Sequence, residues 1–411
     1  MELDETSHKV LVCHADSENS LGVIRSLGQR GIKVVAASHS FFAKGKWSKY
    51  VVKRLKEPSS DDPENYVKWL IRIAKEEHID IFLPTSDLLV WIASNWRDDL
   101  SDYIRVPLAP KEVVDIALRK DLTYNVCEKY GIAYPKTYYP TSYDEVIHIA
   151  NEIEYPVVVK PRTRVGVIIE GKGFIANSKE ELLEKYQINK FKSFMEPHLQ
   201  RDPLLHWPLI QEFVEGPMQN LYTIGTIFDK KSRPIAISCG RKIRQWPIKM
   251  GNCTMAETNY NKDAVKTSIN ILKKIKWRGI VEVEIKQDVK DGKFKIIELN
   301  PRTYTWTWLA VQTGVDLPYL GYNFAFDNVN NEKLKVSKEE LAYIYWLTDF
   351  FGLPSQLSYA KDKREFIRTY LKSLRRKKVC AVCNREDPLP FFADLIDNLR
   401  LIPKYLKRLN Q

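Results

Sequence analysis

The stretch from Lys9 to Ala37 restricts the architecture of this 411-residue chain more than any other. Lys9 to Cys13 is a short apolar run, and His14-Ala-Asp-Ser-Glu-Asn-Ser20 is a polar loop. Leu21 to Arg30 has apolar residues at helical spacing and stops at Gly31, a residue suited to the left-handed cap that ends a helix. Ile32 to Ala37 is a second apolar run. Strand, helix and strand in this order make a βαβ unit, whose usual setting is a parallel, doubly wound α/β sheet. A further helix is expected over Asn65–His78, then a strand over Ile79–Leu83, the loop Pro84-Thr-Ser-Asp87 and another helix. Ligands of such sheets bind beyond the carboxyl ends of the strands. Loops 14–20 and 84–87 are therefore candidate substrate contacts, with Asp16, Asn19 and Asp87 serving either a ligand or a helix cap. No Gly-x-Gly-x-x-Gly follows the first strand, so no dinucleotide site is expected.

The middle of the chain carries charged residues whose order matters more than any single motif. Lys120-Asp121 opens a helix that ends at Gly131, and Tyr155-Pro-Val-Val-Val-Lys160 is a β-branched strand ending on an ammonium group. The next loop holds Gly166, Gly171 and Gly173, able to bring backbone N–H groups close to phosphates. Pro208-Leu-Ile-Gln211-Glu212-Phe-Val214-Glu215-Gly216 is a strand leading into a tight turn. Ile280-Val-Glu282-Val-Glu284-Ile alternates strictly, which sets Glu282 and Glu284 on one sheet face. After a turn at Asp291-Gly292 it is answered by Phe294-Lys-Ile-Ile-Glu298-Leu-Asn300-Pro-Arg302. On such a hairpin Glu284, Glu298 and Asn300 converge. Oxygen ligands without His or Cys suit a hard cation, and Mg²⁺ takes one or two carboxylates together with substrate phosphates. A solvent-facing polar side is the other reading, and it does not explain acids set among apolar neighbours.

Taken in order, Lys120, Val-Val-Val-Lys160-Pro, Gln-Glu212-Phe-Val-Glu-Gly and Glu284…Ile-Glu298-Leu-Asn300-Pro-Arg302 resemble the ATP-grasp superfamily. The likeness is to its carbamoyl-phosphate-synthetase-like branch, and through Ser238-Cys-Gly-Arg-Lys-Ile-Arg-Gln-Trp-Pro247 to ATP-grasp carboxylate–amine ligases such as D-aspartate ligase. It implies a pre-ATP-grasp doubly wound domain over 1–115 and a two-lobed ATP-grasp α+β domain over 116–330, while charge and helical spacing give a basic, mainly helical C-terminal tail over 331–411. It also implies roles. Lys120 and Lys160 would neutralise ATP phosphates. Gln211, Glu212, Val214 and Glu215 would contact the nucleotide, the backbone of Glu212 and Val214 reading the adenine edge. Glu284, Glu298 and Asn300 would hold Mg²⁺ or Mn²⁺, and Arg302, with Arg241 second, would stabilise the transferring phosphoryl group. Two departures stand out. The loop after Lys160 is bulky, which shifts phosphate cradling to Arg162, Arg164 or Lys172. Pro217-Met-Gln-Asn220 follows Gly216 where relatives often carry a ribose-binding acid, leaving Glu215 or Gln219 as substitutes.

The implied activity is ADP-forming ligation of a small carboxylate to an amine through an acyl phosphate, in a cytoplasmic enzyme for which a homodimer is compatible. A non-catalytic ATP-binding module and a membrane-surface interaction protein are the rival readings. Composition narrows the field: 44% hydrophobic and 11% aromatic residues exclude a disordered chain. The best candidate span, Leu341–Leu353, contains Asp349 and is shorter than the roughly 18 apolar residues a bilayer demands. The opening Met-Glu-Leu-Asp-Glu does not resemble a secretory signal. Six scattered cysteines do not resemble a disulfide framework, and Cys380-Ala-Val-Cys383 lacks a second ligand pair for zinc. Residues 361–411 hold 14 Lys or Arg against 6 Asp or Glu, so most of the net charge of +12 lies there. That concentration argues against nucleic acid and leaves two readings of the tail, a helix packed on the body with a solvated basic face or peripheral contact with an anionic membrane. Trp246, Cys253, Trp306 and Trp308 are expected either to line a substrate pocket or to fill the core.

Overall fold

The computed structural model describes residues 8–165, 172–186, 202–248, 250–328, 333–337, 339–360 and 362–409, with side chains as far as Leu399. Three sheets organise them. The first holds β1 (Lys9–Val12), β2 (Lys33–Ala37), β3 (Val51–Leu55) and β4 (Ile81–Phe82) in the order β3-β2-β1-β4, all parallel. Val10, Leu11 and Val12 are all fully buried, as expected for a strand covered on both faces. The flanking helices start at Ser17 and Ser86, whose side chains accept hydrogen bonds from the N–H groups of Ser20 and Leu89. Asp16, Asn19 and Asp87 are thus not the caps.

The second sheet is antiparallel, with β5 (Thr137–Tyr138), β6 (Val157–Lys160), β7 (Phe174–Ala176) and β8 (Leu209–Glu212) in the order β5-β8-β6-β7. Gly173 enters β7 at φ +130°, and a Cβ there would lie 2.2 Å from the Val159 carbonyl oxygen, so only glycine fits.

The third and largest sheet has eight strands: β9 (Leu221–Phe228), β10 (Pro234–Trp246), β11 (Asn252–Thr258), β12 (Gly279–Gln287), β13 (Phe294–Asn300), β14 (Lys335–Val336), β15 (Ala342–Ile344) and β16 (Lys378–Cys380). The order is β13-β12-β9-β10-β11-β15-β16, with β14 beside β10. In the β12–β13 hairpin Glu282 faces Asn300 and Glu284 faces Glu298. The intervening residues Val281, Val283 and Ile285 share an apolar cluster with Ile271 and Leu272 of helix Lys262–Lys274. Alternation therefore commits one face of the hairpin to the core and leaves the other to carry polar groups.

The segment beyond residue 331 is largely helical (Trp346–Tyr359, Lys363–Leu374 and Leu389–Leu409), yet it also supplies β14, β15 and β16 to the large sheet. Three buried ion pairs fix it: Arg25 Nε to Asp387 Oδ2 at 2.9 Å, Lys44 Nζ to Asp394 Oδ1 at 2.9 Å and Arg244 NH2 to Asp349 Oδ2 at 2.7 Å. Among the described residues no helix is long and apolar enough to cross a membrane.

Candidate active site

The second and third sheets face each other across a cleft of about 320 Å³. Its apolar lining comes from Val158, Ile175, Phe213, Val214, Met218 and Ile297, and its charged lining from Lys120, Lys160, Arg164, Lys172, Lys242, Lys286, Glu212, Glu284 and Glu298. An excess of cations around three carboxylates suits a polyanion, and the apolar lining suits a flat base.

Glu298 is the electrostatic centre. Its Oε1 lies 3.0 Å from Arg164 NH2 and its Oε2 lies 3.3 Å from Lys120 Nζ. Burial opposes the charged carboxylate, but Arg164, Lys120, Lys160 and Lys172 outweigh it and hold the pKa well below the usual range. Lys120 is delivered by the helix start, where its N–H donates to the Arg162 carbonyl at 2.8 Å and so ties the helix to the loop after β6. Lys160, at the end of β6, donates to Gln211 Oε1 at 3.1 Å, and Gln211 in turn donates to Thr137 Oγ1 at 2.8 Å. Desolvation draws the Lys160 ammonium down to about 8, against the pull of Glu298. Desolvation, followed by Arg164, does the same to Lys172.

Deeper on the same face, burial and then Glu284 push Glu282 up to about 8. Asn300 Nδ2 donates to Glu282 Oε2 at 3.1 Å, and Arg302 donates to Asn300 Oδ1 at 3.2 Å. Arg302 is gripped by Asp87 through Nε at 2.7 Å and NH2 at 3.3 Å. Burial works against this guanidinium, but Asp87 and Glu282 raise its pKa. Asp87 is therefore the bridge between the loop after β4 and the end of β13. Asn19 makes a parallel connection, donating to the carbonyls of Thr85 at 2.8 Å and Thr303 at 3.0 Å.

The donor set fits a hard cation in kind: Glu284 and Glu298 face each other on the hairpin, and Asn300 stands beside Glu298 with its amide oxygen engaged by Arg302. Among the described residues no three acidic, His or Cys side chains cluster tightly enough to bind a metal alone.

Other sequence expectations fall differently. Arg241 points away from the cleft, pairing with Glu257 at 2.8 Å. Neighbouring strand residues face opposite sides, so it is Lys242 that lines the cleft. Glu215 pairs with Lys290 at 3.2 Å, and neither it nor Gln219 lines the cleft, whereas Met218 does. The Glu212 carboxylate is held by Lys295 at 2.5 Å, and the Val214 carbonyl accepts from Lys286 at 2.7 Å. Arg162 binds the carbonyls of Trp207 and Pro140 and is a structural residue. Trp246, Cys253, Trp306 and Trp308 are buried in the core, and none lines the cleft. Gly166 and Gly171 lie outside the described residues. Lys242, Gln245 and Lys286 went unnoticed in the sequence; strand alternation puts Lys286 on the face of Glu284, whereas register shifts after Lys242 bring Gln245 to the cleft out of step with any period of two.

The family model for the ATP-grasp domain matches residues 118–306, the segment that carries this cleft. Residues 118–306 are an ATP-grasp domain. The D-aspartate ligase of Enterococcus faecium (strain Aus0004) is 25% identical to the chain over 320 residues, covering 73% of this chain and 72% of that enzyme. The carbamoyl phosphate synthase large chain of Methanobrevibacter smithii is 25% identical over 271 residues, and the match spans 25% of its length. Among solved structures, the biotin carboxylase domain dimer of Hydrogenobacter thermophilus 2-oxoglutarate carboxylase, in complex with MgADP, shares the fold. Its TM-score is 0.62 at 19% identity, over 80% of this chain and 71% of that one. The chain that carries this domain is an enzyme.

Proposed function

We propose that the enzyme joins a small-molecule carboxylate to an amine at the expense of ATP, releasing ADP and phosphate. The substrate carboxylate attacks the γ-phosphorus, the bond to the β–γ bridging oxygen breaks, and ADP departs with that oxygen. The amine then attacks the acyl carbon of the acyl phosphate, phosphate leaves, and an amide remains. Lys120, Lys160, Arg164, Lys172 and Lys242 compensate the charge of the triphosphate, since phosphoryl transfer is chiefly positioning and electrostatics. Backbone groups of Glu212 and Val214, beside Phe213 and Met218, hold the adenine. Gln211 acts on the nucleotide through Lys160, which it orients. Glu284, Glu298 and Asn300 would hold Mg²⁺ or Mn²⁺, which when bound neutralises phosphate oxygens. Arg302, oriented by Asp87, stabilises charge at the transferring group. Six free thiols suit a reducing cytoplasm.

The observation that carries this reading is Glu298 met by Arg164 at 3.0 Å and Lys120 at 3.3 Å, with Lys160 and Lys172 beside them in a cleft that has an apolar side. The test is ADP release with Mg-ATP across pairs of amino acids and small acids, D-aspartate included. ADP formation that requires both an acid and an amine, and that falls at least about 100-fold in Glu298→Gln, is the expected result. ATP binding without such turnover would identify a nucleotide-sensing module instead.

A further inference from the structure

Helix Lys363–Leu374 is packed by one side only. Tyr370 donates to Asp349 Oδ2 at 3.2 Å, and Ser373 Oγ accepts from Arg244 NH1 at 2.7 Å, so the Phe366, Tyr370 and Ser373 side faces the body. On the flank beside it Ile367 is 47% exposed and Leu371, one turn later, is 53% exposed. Helical periodicity sets Arg364, Arg368, Lys372 and Arg375 next to these two, along the side of the helix turned away from the body. Among the described residues Arg368 has a distant carboxylate partner, Glu365 at 3.9 Å, and Arg364, Lys372 and Arg375 have none. The preceding helix adds Phe350, 67% exposed, and Tyr359, 63% exposed.

We propose that this face is a docking surface for an anionic membrane. An apolar pair bordered by a row of cations matches the bilayer boundary, where aliphatic and aromatic side chains enter the acyl region while long cationic side chains reach the phosphates. Arg364, Arg368, Lys372 and Arg375 supply the complementary charge, in a segment, 361–411, with 14 basic residues against 6 acidic. The inference rests on this surface and not on the ligase reading, so either can fail alone.

The test is sedimentation of the full chain with vesicles of phosphatidylcholine, alone or mixed with phosphatidylglycerol. Binding is expected to the mixed vesicles at low salt and to be lost near 1 M salt, where the screening length is about 3 Å. Arg364→Glu with Arg368→Glu should cut partitioning by at least about 25-fold, roughly fivefold per cation. Ile367→Ser with Leu371→Ser should cut it at least about tenfold at unchanged charge. All four side chains are exposed, so both double variants should keep the parent's thermal midpoint. No binding at low salt, equal binding to neutral vesicles, or indifference to the Ile367 and Leu371 changes would overturn the proposal. So would light scattering that shows a dimer dissolved by the same substitutions, which would assign the face to a second copy of the chain.

Discussion

Lys160 and Lys172 sit where anionic phosphates would gather, with pKa values drawn to about 8 chiefly by desolvation. An ammonium is present below its pKa and lost above it, so a lowered pKa brings the loss of charge into the working range. The profile of kcat/KM for ATP should therefore descend through about pH 8, and Lys160→Arg should move that limb upward. A profile flat to about pH 9 would contradict the arrangement. The neighbours Arg241 and Lys242 provide a sharper contrast. Lys242→Ala is expected to lower kcat/KM for ATP by on the order of tenfold or more, and Arg241→Ala to leave it within about threefold, since only Lys242 meets the cleft.

At the scale of elements, the β12–β13 hairpin works because its register sets Glu284 against Glu298 and Glu282 against Asn300, with Val281, Val283 and Ile285 anchoring the other face. The hairpin β6–β7 depends instead on backbone shape. Gly173→Ala would force a left-handed residue against the Val159 carbonyl. The expected cost is about 2 kcal/mol or more, seen as a thermal midpoint lowered by several degrees. An unchanged midpoint in a calorimetric scan would refute that account.

The whole molecule is closed by its C-terminal segment. Arg25 and Asp387 are both fully buried, and Arg25 also donates to the carbonyls of Ala381 and Val382. Asp387→Asn strands that guanidinium and should cost about 3–5 kcal/mol, read as a lower urea midpoint, with Asp387→Asn/Arg25→Met recovering part of the loss. A chain ending at residue 330 would lose β15 and β16 and leave Arg244 without Asp349. Such a chain is expected to be insoluble, and a soluble, cooperatively unfolding product would show the tail to be dispensable.

The amino-acid sequence alone carried the βαβ start, the strand ending at Lys160 and the two-sided hairpin, because side-chain periods of 2 and 3.6 are local and survive without a partner. It also carried Lys120, Lys160, Glu284, Glu298 and Asn300, which the fold gathers on the cleft or beside it. Local pattern did not settle Arg241 against Lys242, since which face of β10 meets the cleft is set by its pairing with β9 and β11 and by the register shifts beyond Lys242. Nor did it show that Glu215 turns out to Lys290, or that Asp87 holds Arg302 across 215 positions of sequence. The short strands β15 and β16 have too little pattern of their own and exist because the edge of a large sheet accepts them. Period and residue type are properties of neighbours along the chain, whereas which side chains meet is decided only when distant segments are packed together.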